Sequence, residues 1–235
     1  MADTTSPGPP DPPVAPIPAA TVIVARDADD GLETLLIRRN TALDFAGGMW
    51  VFPGGRIDPG DYPVDAPHDE ETGARRAAVR EAAEEAGLVL DEAGLVPFSH
   101  WTAPRLSPKR FATWFFLAPC PPGTPVITVD GGEIHDHAWM RPDDAIARRD
   151  AGEIDLAPPT WITLHRMAGW PDLAAALLDV RNLEPERFET RFTPVDDGAV
   201  AVYAGDVAYD GGPLDAPGPR HRLWMLASGW RYERD

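Results

Sequence analysis

The segment Ala74–Ala86, ARRAAVREAAEEA, constrains this chain more than any other. Ala, Arg and Glu are strong helix formers and Gly87 behind them is a natural stop, so a helix is expected over these residues. At about 100° per residue, Glu81, Glu84 and Glu85 fall within one sector of roughly 100°. Val79, Ala82, Ala83 and Ala86 fall on the opposite side. The helix should therefore seat a small-residue face closely against a sheet and present the carboxylates on the other. Locally this is unfavourable. Like charges at (i, i+3) and (i, i+4) repel, and Glu84 and Glu85 lie in the last turn, where the helix dipole disfavours anions. A divalent cation bound to the acids would remove both penalties. Oxygen donors suit Mg²⁺ or Mn²⁺, and the absence of sulfur and of paired histidines nearby argues against zinc.

Upstream lies Phe52-Pro53-Gly54-Gly55-Arg56-Ile57-Asp58-Pro59-Gly60-Asp61. Together with Arg80–Leu88 this resembles the Nudix box: a Gly, five residues, a Glu, seven residues, then Arg-Glu-U-x-Glu-Glu-x-Gly-U, with U a bulky aliphatic. Gly55 fits the first Gly, and Arg80, Glu81, Glu84, Glu85, Gly87 and Leu88 fit the second half. There are departures. Asp61 stands where Glu is usual and Ala82 where a bulky aliphatic is usual. Eighteen residues rather than seven separate Asp61 from Arg80, an insertion of eleven. A surface loop tolerates such an insertion at small thermodynamic cost.

The resemblance implies an α+β fold, the Nudix α/β/α sandwich with a mixed sheet, and metal-dependent phosphoryl substitution by water. Glu84 and Glu85 are then first-choice Mg²⁺ ligands, with Mn²⁺ able to substitute. Glu81 is ligand or base, and the Gly54 carbonyl is a further ligand. Arg80 would pair with the box carboxylates and hold their orientation. The base that takes the water proton is Glu81 or Glu133, the latter in the Gly131–Trp139 segment GGEIHDHAW, read as an acidic loop.

The substrate class follows from a second resemblance. Leu35–Gly55 is similar in spacing to the coenzyme A signature that precedes some Nudix boxes. Leu35, Leu36, Arg39, Gly48 and Phe52–Gly55 match, whereas Ile37, Asn40 and Asp44 do not. His100–Pro104 and Arg110–Phe116 look like the branch that contains peroxisomal coenzyme A diphosphatases, which also carries box insertions and a long C-terminal extension. The implied reaction cleaves coenzyme A or an acyl derivative into 3′,5′-ADP and a phosphopantetheine. Arg39, Arg56 and Arg110 are candidate phosphate ligands, because guanidinium forks suit phosphate oxygens. Alternative readings are a diphosphatase for ADP-ribose, NADH or oxidised nucleotides, and a degenerate, non-enzymatic nucleotide sensor. The sensor would be expected to have lost helix carboxylates.

Composition bounds the rest. A net charge of −17 argues against nucleic-acid binding, which needs a basic surface. No apolar run approaches a membrane span, and the first twenty residues do not read as a targeting segment, so a cytoplasmic location is expected. The single cysteine, Cys120, excludes an intrachain disulfide framework and a cysteine-based zinc site. The partner is a small nucleotide-linked molecule, and a homodimer stays open.

The expected organisation is a disordered Pro-rich tail over 1–18, a hydrolase core over 19–150, and a helical and β extension over 151–235 packed on the core. Thr21–Arg26 and Glu33–Arg39 should pair as a hairpin. Strands are expected at Trp50–Phe52, Leu95–Ala103 and Phe111–Leu117. Helices should run from Pro142 to about Arg149 and over Pro159–Ala168 and Pro171–Val180. The tail offers short strand-like runs at Arg187–Thr193, Ala199–Tyr203 and Arg220–Leu226.

Overall fold

A computed structural model describes residues 15–41, 46–105, 107, 109–123, 126–129 and 132–235. Most of the expected tail (1–14) and the Asp44 departure lie outside the described residues. The remainder of that expected tail is not a tail: the first strand, β1 (Ile17–Ala28), already includes Ile17 and Pro18.

β1 and β2 (Gly31–Arg39) form the hairpin, with Ala28 opposite Gly31 across a two-residue turn. The turn holds because Gly31 adopts φ +117°, which a side chain would resist. β3 (Trp50–Val51) pairs with β2. β4 (Gly54–Arg56), beyond the strand expected at Trp50–Phe52, pairs antiparallel with the first half of β1. β1 is thus shared along one edge. Its first half takes β4 and its second half takes β2, while its other edge pairs in parallel with β6.

Helix α1 (Glu70–Ala86) starts four residues earlier than the sequence suggests, because the Asp69 side chain accepts from the Thr72 N–H and caps it. Part of the eleven-residue insertion is therefore extra helix rather than loop. Gly87, in the left-handed conformation, ends it, with Leu88 N–H donating back to the Ala82 carbonyl. Gly73, Ala74, Ala77, Ala78, Ala82 and Ala86 are buried, so the helix approaches β1 and β6 closely and joins Val22, Val24, Leu35, Ile37 and Phe116 in one core.

β5 (Val96–Thr102) and β6 (Phe111–Pro119) are antiparallel. β7 (Ile134–Met140) pairs with β2. The segment read as an acidic loop around His135 and His137 is therefore a strand, held by its register against Thr34–Arg39 rather than by apolar alternation of its own. α2 (Pro142–Asp150), α3 (Pro158–Met167) and α4 (Leu173–Arg181) follow. β8 (Glu186–Glu189) pairs in parallel with β5, completing a mixed sheet of eight strands. After Thr190 the chain enters a second, four-stranded antiparallel sheet: β9 (Arg191–Val195), β10 (Gly198–Val202), β11 (His221–Leu226) and β12 (Gly229–Arg234).

The architecture is α+β, with α1 on one face of the mixed sheet and the later helices on the other. The second core cluster unites Ile23, Phe52, Trp101 and Phe115 of the main sheet with Trp161, Leu164, Val180, Phe188 and Leu223, so residues beyond 151 share one hydrophobic core with the sheet. In the second sheet Arg222 and Asp206, both almost fully buried, form a forked ion pair at 2.6 and 2.7 Å. Among the described residues no helix is long and apolar enough to cross a membrane.

Candidate active site

The site is built where β4 passes between β1 and α1. Gly54 and Gly55 are there for space. A Cβ on Gly54 would meet the Ala20 carbonyl and Thr21, and one on Gly55 would collide with the Glu81 carboxylate. This close approach requires glycine at both positions.

α1 is rotated from the expected orientation. Ala83 is exposed, and Glu85, expected on the open face, is 6% exposed. The reason is an orphan donor: Glu85 Oε2 accepts from the Gly54 N–H at 2.8 Å. Burial is the dominant influence on Glu85 and drives its pKa up to about 8. The Gly54 bond and Arg39 oppose this; Glu81 and Glu133 reinforce it. Glu81 is also raised, chiefly by burial, with Arg80 pulling the other way.

Arg80 ties the box together. Its Nε and Nη2 donate to the two Asp61 oxygens at 3.3 and 3.0 Å, and Nη2 also reaches the Arg56 carbonyl at 2.9 Å. Nη1 donates to Glu81 at 2.8 Å and to Glu84 at 3.1 Å. Asp61, itself buried, accepts the Asp58 N–H. The shorter acid at the position where Glu is usual thus still engages Arg80, and the guanidinium is held firmly protonated by Asp61 and Glu81 against its own burial.

In front of this frame lies a cavity of about 640 Å³. Gly54, Glu81, Glu84, Glu85, Glu133, Arg39 and Arg56 all line it, so residues far apart in sequence meet there. Arg39 stands between two acids, 3.8 Å from Glu85 and 3.7 Å from Glu133. Arg80, expected to pair with the box carboxylates, bonds to Glu81 and Glu84 from outside the cavity lining. One of the residues expected at the cavity is elsewhere. Arg110 points away from it: the guanidinium is buried, its Nε donates to the Ala103 carbonyl at 2.9 Å, and it lies 3.6 Å from Glu189. Its neighbour Lys109 lines the cavity instead. Sequence reasoning passes over Lys109, although a signal is present, since it is the only lysine in the chain.

The donor set suits a hard divalent cation in kind: carboxylate oxygens, one of them buried enough to resist ionisation without a cation beside it. The acids do not converge on one point, and among the described residues no group of three His, Cys, Asp or Glu side chains is arranged to hold a metal. Glu81 and Glu84 are turned to Arg80, and Glu85 to Gly54.

A family model for the NUDIX domain matches residues 16–160. The acyl-coenzyme A diphosphatase NUDT19 of Gallus gallus is 28% identical over 192 residues, which are 72% of this chain. The chain spans about half (50%) of that relative's length. Among solved structures, a NUDIX hydrolase from Alicyclobacillus acidocaldarius aligns with TM-score 0.61 and 26% identity, covering 70% of this chain and 96% of its own. The NUDIX domain of Shewanella oneidensis NrtR, solved with ADP ribose, aligns with TM-score 0.50 over 65% of this chain and 86% of its own, and at 16% identity shares the fold alone.

Proposed function

The chain belongs to the Nudix hydrolase family, and from that premise we propose that it hydrolyses the diphosphate bond of a nucleoside-diphosphate-linked compound, with coenzyme A or an acyl-coenzyme A as the substrate. The observation that carries the reading is the cavity in which Glu81, Glu84, Glu85 and Glu133 face Arg39, Arg56 and Lys109. A purely acidic cavity would repel a diphosphate. One that interleaves cations with acids can bind it and still hold a divalent ion.

Glu84 and Glu85 would hold Mg²⁺, or Mn²⁺ in its place, with Glu81 and the Gly54 carbonyl as further donors. Once bound, the cation supplies charge neutralisation of the diphosphate and makes water more acidic. Arg39, Arg56 and Lys109 grip phosphate oxygens and set the scissile bond in line with the attacking water. Glu81 or Glu133 accepts the water proton as the new P–O bond forms. The bridging P–O bond breaks and leaves two phosphomonoesters, 3′,5′-ADP and a phosphopantetheine for coenzyme A. Burial raises the Glu81 pKa, which strengthens it as a proton acceptor once ionised. Arg80 is a positioning residue. It keeps Glu81 and Glu84 at the cavity wall while Asp61 fixes it from behind.

The substrate assignment draws on the acyl-coenzyme A diphosphatase activity of the chicken relative and on the partial coenzyme A signature around Arg39. The test is a screen of nucleoside-diphosphate compounds with Mg²⁺ and product identification. Formation of 3′,5′-ADP from coenzyme A or its thioesters supports the reading. Turnover of ADP-ribose or NADH with coenzyme A untouched overturns the substrate and leaves the reaction class.

A further inference from the structure

Beside the acidic cavity lies a second chamber of about 630 Å³, in the range of small-molecule sites. The two adjoin: Thr21, Arg39, Gly54, Lys109, Phe111 and Thr113 line both. Their chemistry is opposite. Asp58 and four glutamates line the first. No acid lines the second among the described residues, although the chain carries 38. Its charged lining residues are Arg39 and Lys109, both at the seam. Its walls are Met49 from the loop before β3, Phe52 from the core, Phe111 from β6, Pro158 from the start of α3, and Thr190 and Phe192 from the crossover into the second sheet. Phe192 is a large apolar side chain left 48% exposed there.

We propose that this chamber is a binding subsite for an apolar acyl or alkyl arm carried by the diphosphate, either directly or at the far end of a pantetheine, and that Phe192, delivered by the C-terminal extension, is a specificity-determining residue for that arm. The inference rests on the diphosphatase reading above and adds the chemistry of the leaving half. Seam cations hold the diphosphate, and the arm runs away from the acids into the apolar walls. Hydroxyls of Thr102, Ser107, Thr160 and Thr190 interrupt these walls, but most of the lining is apolar, so a second nucleotide or a ribose would lose more hydration there than a saturated chain does. This gives the extension a role in binding, because α3 and β9 close the side of the chamber that the main sheet leaves open.

The test is a chain-length series on the full-length protein with Mg²⁺. It uses coenzyme A, its acetyl to dodecanoyl thioesters, and a parallel series of alkyl esters of ADP that lack pantetheine. Burying a methylene is worth about 0.8 kcal/mol, so kcat/KM should rise by up to about fourfold per carbon until the chamber is full. The rise should appear in KM with kcat nearly constant, because the arm binds equally in ground and transition states. Phe192→Asp should flatten the slope to less than about half, and Phe192→Leu should largely restore it. A role in folding alone would move the absolute rate and the melting temperature but not the octanoyl-to-acetyl ratio. A flat series in wild-type protein, with coenzyme A itself cleaved, overturns this inference and leaves the coenzyme A reading intact. A slope in the alkyl-ADP series with no turnover of coenzyme A compounds supports the chamber and overturns the coenzyme A reading.

Discussion

Glu85→Gln separates the electrostatic account of this site from a merely structural one. Gln keeps the shape and can still accept the Gly54 N–H, but it carries no charge to bury. A carboxyl moved from its ordinary 4.5 to about 8 by burial is protonated in the folded protein and ionised in the unfolded one between those values. The folded state then binds more protons, so the metal-free protein should lose stability as pH rises through this window. At about 1.4 kcal/mol per pKa step, the cost at Glu85 grows from about 1 kcal/mol at pH 5.5 to about 4 at pH 7.5. The variant should therefore gain about 2–3 kcal/mol relative to wild type between those pH values. For a chain of this size that corresponds to a growing Tm advantage of roughly 5–10 °C. Differential scanning fluorimetry of the chelator-treated proteins from pH 5.5 to 8 reads this directly. Adding Mn²⁺ should reverse the order above pH 7, because wild type then gains binding free energy that the variant lacks. Parallel Tm curves for the two proteins across this range would refute the buried-charge argument.

Three further outcomes follow from the same geometry. Glu84→Gln should lower turnover by at least about 10²-fold, the scale of losing one electrostatic catalytic group, with an unchanged circular dichroism spectrum; a near-normal rate would remove Glu84 from the ligand set. Gly55→Ala forces the Glu81 carboxylate aside, so kcat should fall while stability drops by about 1–3 kcal/mol, measured by steady-state kinetics and urea denaturation. Asp206→Asn leaves Arg222 charged, buried and unpaired and should cost about 3–5 kcal/mol in urea denaturation. Burial alone would raise the Asp206 pKa, but the Arg222 fork and the His221 and Ala208 N–H bonds outweigh it and hold it below the usual value. Its stabilisation is thus present above the unfolded pKa, about 4, and is lost only as pH falls below it, whereas the Glu85 effect lies above it.

What can be read from the chain, and what cannot, divides along one physical line. Features set by residues close in sequence are legible. The β1–β2 hairpin follows from two apolar runs around a glycine that tolerates positive φ, and the end of α1 follows from Gly87. Features set by partners distant in sequence are not. β7 is a strand because Ile134–Met140 lies against β2, and nothing in IHDHAWM itself demands that. β4 carries no strand signal because it begins Gly-Gly; only the Ala20 carbonyl and the Glu81 carboxylate, each many residues away, show that those glycines serve close packing in a strand. The same division runs through the site. Helical periodicity brings Glu81, Glu84 and Glu85 together, but cannot tell which of them is buried. That is settled by the Gly54 N–H, left without a strand partner and satisfied by Glu85 from 31 residues away. Arg110 and Lys109 make the point most sharply. The guanidinium fork favours arginine as the phosphate ligand, yet just ahead of β6 it is Lys109 that lines the cavity while Arg110 turns to the Ala103 carbonyl, so choosing between the two needs the position of the cavity as well as the chemistry of the side chain.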